Sequence, residues 1–177
     1  MLDLGELLHS HGMRTATDVE VPCTEDMELT CAQPVTGHLV FTNTGNLLVI
    51  QGALEADLQA QCPRCLADAS VRVDAAVDEE FTVHDNEVVC RADDEETAED
   101  PTFRALFPEP HILNLSELVR QSIVLAMPME TLCREDCAGL CPYCGANRNE
   151  TTCSCEPPAD SPFAALAGLY QAESHEE

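Results

Sequence analysis

Eight of the eleven cysteines fall into four short groups: Cys62-Pro-Arg-Cys65, Cys133-x3-Cys137, Cys141-Pro-Tyr-Cys144 and Cys153-Ser-Cys155. This grouping constrains the chain more than any other feature. Thiols set two to four residues apart suit metal coordination better than a packed core or a disulfide framework, because a tetrahedral zinc ion needs four thiolates about 2.3 Å away. Within the Cys-Pro-x-Cys turns, proline fixes φ, and Gly145 permits the tight turn after the second sulfur. Cys133 and Cys137 stand at i and i+4, so a single helical turn would aim both at one ion. Eight ligands suit two sites of four cysteines each, one or two zinc ions in all, and spacing alone leaves the partners unassigned.

Cys62-Pro-Arg-Cys65 by itself also fits a dithiol redox pair. Such a pair opens a helix after a strand, whereas the residues on both sides of this one read as strand, which favours metal. The start, Met1-Leu-Asp-Leu-Gly-Glu, lacks the basic residues and apolar stretch of a signal peptide. No apolar run reaches the length of a membrane span. The expectation is a cytoplasmic protein with reduced thiols and no membrane partner, for which metal is favoured over structural disulfides. Cys23, Cys31 and Cys90 have no spacing partners and are expected to be small, partly buried residues.

Charge narrows the function further. The chain holds 33 acids against eight arginines and no lysine, a formal net charge of −25. Two zinc ions held by eight thiolates would bring this to about −29. Such a field repels phosphate backbones, so broad-surface RNA binding is excluded. Three of the eight arginines (Arg64, Arg134 and Arg148) lie beside the cysteine groups. They are placed to offset thiolate charge, and Arg64 and Arg148 are candidates for a local RNA contact. No Ser-His-Asp set, H-E-x-x-H, P-loop or G-x-G-x-x-G occurs, and nothing in the sequence argues for an enzyme.

Residues 2–12 read as a short apolar segment and 18–84 as β. Residues 35–42 and 47–53 flank a turn at 43–46, and residues 54–60 and 70–77 flank the Cys62/Cys65 knuckle, with Val71, Val73 and Ala75 alternating. Residues 91–110 read as an acidic loop too charged to pack. The spacing of Leu118, Val119 and Ile123 predicts a helix over 115–127, with Asn114 as its cap and Glu117 completing a capping box. Ser161 and Pro162 open a short helix over 162–170. The expected fold is α+β: a small antiparallel sheet with zinc knuckles, one main helix and a short C-terminal helix. Its parts are a β-rich domain over 1–90, the loop over 91–110, and the helix with the Cys-rich segment over 111–177.

One order of motifs ties these pieces together. It runs from Cys62-Pro-Arg-Cys65-Leu66 through the helix ending in Ala126-Met-Pro128 to Gly139-Leu-Cys-Pro-Tyr-Cys-Gly-Ala-Asn-Arg-Asn149 and the closing Ser161-Pro-Phe163. In this the chain closely resembles the bacterial and plastid YceD family of large ribosomal RNA subunit accumulation proteins, over roughly residues 30–170. The resemblance implies a non-enzymatic factor needed for normal levels of 23S rRNA and assembly of the large subunit. Expected partners are a basic ribosomal protein or assembly factor and pre-ribosomal large-subunit rRNA. The competing expectation is a zinc- or redox-responsive regulatory or protein-interaction module, which would need an exposed, low-pKa thiol.

Overall fold

The computed structural model describes residues 1–24, 27, 29–90 and 100–155. The helix expected over 162–170 and the run of acids at 93–99 lie outside these residues. The chain divides into two compact units. The first comprises Met1–Cys62 and Ala67–Cys133, and the second Pro63–Leu66 with the residues from Arg134 onward.

In the first unit the elements follow in the order β1 (Leu2–Asp3), α1 (Gly5–Leu8), β2 (Arg14–Val21), β3 (Val35–Asn43) and β4 (Leu47–Gln61). They continue with β5 (Asp68–His84), β6 (Glu87–Val89), α2 (Pro101–Leu106), β7 (Ile112–Leu113) and α3 (Leu115–Ala126). Strands β2-β3-β4-β5-β6 form one sheet with every neighbour antiparallel, and β1 pairs with β7. Mostly antiparallel strands with a few helices make this an α+β fold.

The period-two alternation decides which face is covered. Leu48, Ile50, Leu54, Ala56 and Leu58 of β4 and Val73, Ala75 and Val77 of β5 point inward and are buried. They share one core with Leu7 and Leu8 of α1 and with Leu118, Val119 and Ile123 of α3. Intervening residues, among them Glu55, Asp57, Asp74 and Asp78, are exposed on the other face, as in antiparallel sheets with one wet side. There Arg72 forks between Glu55 at 2.5 Å and Asp74 at 3.5 Å.

The two hairpins expected from sequence share a strand. Leu47–Gln61 is continuous, pairing with β3 along its first half and with β5 throughout. Gly52, inside the expected strand, sits opposite Leu39, where a Cβ would run into the His38 carbonyl. The glycine is there for close backbone approach.

Two further expectations are corrected. Residues 101–106, expected as loop, form α2: Asp100 caps it by accepting from the Thr102 N–H at 2.8 Å, and Pro101 holds the first turn. Its end packs, with Phe107 edge-on to Phe81 at 4.8 Å; the charge that argued for a solvated loop stops at Asp100. Cys23 and Cys31, expected to be unpaired, are joined as a disulfide across eight residues, their Cα atoms 5.8 Å apart. Both pack partly buried against the core, and an isolated bridge from Cys31 to Leu58 of β4 anchors the loop carrying them.

Helix α3 is capped by Asn114, whose side chain accepts from the Glu117 N–H at 3.4 Å. The reciprocal half of the capping box does not form. Asn114 N–H donates to the Leu106 carbonyl instead, and the Glu117 carboxylate takes bonds from Arg120 and Gln121. The bond from Arg120 is the largest influence holding that carboxyl below its usual range.

Asn43 is the buried polar side chain among the described residues, fully enclosed. Its amide donates to the Leu7 and Leu8 carbonyls at 3.0 Å each, and its oxygen accepts from Gly45 N–H at 2.8 Å. It satisfies the orphan end of α1 and the β3–β4 turn together. Asn43→Ala is expected to destabilise by about 1–3 kcal/mol, since the Leu8 carbonyl loses its donor and the Gly45 N–H its acceptor, while Leu7 keeps its bond from Ser10 N–H. Urea unfolding checks this, and a change under about 0.5 kcal/mol would mean water replaces the amide freely.

Candidate metal centres

In the second unit the chain reverses between Leu140 and Asn147, which form an isolated bridge. Cys141 N–H donates to the Ala146 carbonyl at 2.8 Å and Gly145 N–H to the Cys141 carbonyl at 2.9 Å. Gly145 takes φ +73°, a left-handed conformation that glycine adopts without strain. The sulfurs of Cys141, Cys144, Cys153 and Cys155 converge, all within 4.8 Å of one another. A zinc–sulfur bond of about 2.3 Å in a tetrahedron sets sulfurs about 3.8 Å apart, so this donor set fits the ion with small adjustments.

Electrostatics prepare one sulfur. The backbone N–H groups of Cys144 and then Tyr143 donate to Cys141 and lower its thiol to about 6. Cys153 is pushed up by its hydrogen bond with Cys141, and Cys155 up to about 12 by its bond with Cys144. Adjacent thiolates repel, so protons stay on neighbours until a cation replaces them. A metal ion bound here would therefore release protons, and its binding would strengthen as pH rises.

Cys62, Cys65, Cys133 and Cys137 also have sulfurs within 4.8 Å of one another. The turn between β4 and β5 is closed by Cys62 N–H bonding to the Ala67 carbonyl at 2.9 Å. It repeats the other knuckle with one difference. Leu66, where the second knuckle has Gly145, sits at φ +59° and is 57% exposed. A leucine held left-handed stores strain of about 1–2 kcal/mol.

All eight cysteines expected as ligands thus fall into two groups of four, and either group could hold a metal ion. Cys90 belongs to neither. Of the arginines, Arg134 faces Asp136 at 4.0 Å. Arg64 and Arg148 are exposed, and their backbones attach to consecutive residues. The Arg64 carbonyl accepts from Leu140 N–H at 2.8 Å, and Arg148 N–H donates to the Gly139 carbonyl at 2.9 Å.

Sequence reasoning missed the asparagines. Asn149 Nδ2 donates to the Cys137 sulfur at 3.3 Å, while its Oδ1 accepts from Ala138 N–H at 2.8 Å. Asn147 Oδ1 accepts from both the backbone and the side chain of Asn149, fixing its orientation. The signal was present in Cys-Gly-Ala-Asn-Arg-Asn, where two amides follow a ligand pair. Donors to sulfur tune and orient ligands, so Asn149→Ala is expected to weaken metal binding roughly 10–100-fold. Competition with a chromogenic chelator measures it; unchanged affinity would make Asn149 a turn residue only.

A knuckled, thiol-rich α+β protein is the class these features define. Residues 50–170 match the family described as "Large ribosomal RNA subunit accumulation protein YceD", and the chain belongs to the YceD family. It is 33% identical over 98 residues to uncharacterized proteins of Mycobacterium tuberculosis and Mycobacterium bovis, covering 55% of this chain and 44% of each relative. It is also 33% identical over 60 residues to the Zea mays protein named "Large ribosomal RNA subunit accumulation protein YCED homolog 1, chloroplastic", covering 33% of this chain and 20% of that one. The chain thus spans less than half the length of these relatives. No solved structure matches it. Among the described residues, no helix is long and apolar enough to cross a membrane.

Proposed function

We propose that this chain is a non-enzymatic cytoplasmic factor that supports accumulation of 23S rRNA and assembly of the large ribosomal subunit, with zinc as a structural ion in both cysteine groups. The observation that carries this reading is the family match over residues 50–170, a span that contains all eight grouped cysteines. Zinc suits four thiolates because it is redox-inert and accepts a closed tetrahedral shell. A closed shell leaves no open position for substrate, which fits a structural role.

The mode of action follows from charge. At −25 the chain approaches RNA against its own field, so its first partner is a protein: a basic ribosomal protein or assembly factor. Arg64 and Arg148, brought onto adjoining residues of one segment, add a local contact to pre-ribosomal rRNA once that partner has docked. Depletion in the native host, with 23S measured against 16S rRNA, tests the role; an unchanged ratio would sink it. Binding to naked large-subunit rRNA and to pre-ribosomal particles across a salt series tests the mode. Tight binding to naked rRNA at physiological salt, lost in Arg64→Ala and Arg148→Ala, would overturn protein-first action.

A further inference from the structure

The five-stranded sheet ends at β2, eight residues paired with β3 on one side. On the other side, among the described residues, no strand or bridge is recorded. The opposite end of the sheet is finished differently. There β6 is three residues long, and its Val88 N–H bonds to the Pro110 carbonyl at 2.9 Å. A long open edge is a template for one more strand, with main-chain bonds supplying affinity and pockets for alternate side chains supplying specificity.

The two sides of this edge differ in chemistry. On the core side, Thr15 and Thr17 join Leu2, Leu7, Met13 and Phe41 around a cleft of about 210 Å³. Asp3 and Glu6 also border it. On the outer side Asp18 and Glu20 are exposed, and Glu20 opens a row that continues through Thr36 and Glu55 to Asp74. Arg14 shares this outer side, and Asp18 accepts from His38 Nδ1 at 2.8 Å. An added strand would therefore meet a mixed cleft of apolar side chains rimmed by Asp3 and Glu6 with one set of side chains, and mainly the Asp18 and Glu20 carboxylates with the other.

We infer that the β2 edge is a docking site for an extended segment of a basic protein, taken up as a sixth strand. Alternate apolar side chains of that segment enter the cleft, and the intervening Lys or Arg residues lie over Asp18 and Glu20. Charge complementarity selects this occupant. A second copy of the chain would set Asp18 and Glu20 against a like-charged edge, which destabilises cross-strand pairing, and nucleic acid is repelled by the same carboxylates. The inference uses the proposed function only for the partner's class; the edge itself is remote in sequence from every grouped cysteine.

The test uses the full chain and a ten-residue peptide alternating valine and lysine. Its control has the same composition with the valines and lysines in two blocks. The alternating peptide is expected to bind at least tenfold more tightly than the block peptide and to slow amide exchange across Arg14–Val21. The double variant Asp18→Lys, Glu20→Lys should reduce that binding at least tenfold. Thr17→Arg, which places a charge in the cleft, should also weaken it. Equal affinity for both peptides would reduce the effect to nonspecific attraction and overturn the inference. So would unchanged exchange over Arg14–Val21, or a concentration-dependent dimer that protects the same amides. If peptide binding fails while 23S rRNA still falls on depletion, only the docking site is lost. If binding holds and the rRNA is unaffected, the proposed function is lost instead.

Discussion

Chelating the metal from purified protein is expected to unravel the segment from Arg134 to Cys155. Within it only Cys137, Gly139 and Cys141 are buried, so no apolar core of its own can hold it. Turn hydrogen bonds alone do not offset the ordering entropy of some twenty residues at about 1–2 kcal/mol each. Structural zinc contributes about 10–16 kcal/mol in small finger peptides, a term large enough to decide the outcome. Elemental analysis of anaerobically purified protein should return two zinc ions per chain. Cys141→Ser or Cys144→Ser should remove one of them, and Cys90→Ser none. Amide exchange before and after chelation should show protection lost from Leu140 to Thr151. Metal-free protein with that protection intact would mean the knuckles are held by something other than coordination.

Leu118→Ala is expected to destabilise the first unit by about 2–5 kcal/mol. Leu118 is 2% exposed, and it sits in the same core as the inward rows of β4 and β5. Truncation there loses transfer free energy and leaves a cavity that flanking strands cannot close. The contrast is Leu125, on the same helix but 82% exposed, where alanine should change stability by no more than about 0.5 kcal/mol. Denaturant midpoints of the two variants decide this. Similar small effects would place the α3 face at the surface.

What could be read in the sequence was whatever depends on local periodicity or spacing. Val71, Val73 and Ala75 announced the inward face of β5, and Leu118, Val119 and Ile123 that of α3. Asn114 announced the helix start. What escaped depended on who stands nearby in space. Glu117 has the right spacing for a capping box, yet Arg120 competes for its carboxylate and Leu106 takes the Asn114 donor. Why residue 52 of the expected strand is glycine becomes legible only with the facing His38 carbonyl. The eight-residue separation of Cys23 and Cys31 carries no signature, because pairing depends on Cα geometry set by the loop. The α2 start was the avoidable miss: Asp100-Pro101 is a cap followed by proline at the first helical position, masked by the acids before it. At the cysteines, spacing picked out the eight whose sulfurs the fold draws together, while their division into two groups of four required the fold.

The long hairpin of β4 and β5 also sets a timetable. Its fifteen paired positions, from Leu47–Thr82 to Gln61–Asp68, are complete once the chain has been synthesised to His84. Cys133 follows Cys65 by 68 residues. At about 5–20 residues per second, translation leaves roughly 3–14 s during which Cys62 and Cys65 have been made and their group partners Cys133 and Cys137 have not. Two thiols cannot close a tetrahedral shell, so a zinc ion in the first group could be enclosed only after Cys133 and Cys137 have been made. During that interval the nascent chain presents a dithiol to whatever oxidant or competing metal the cell contains.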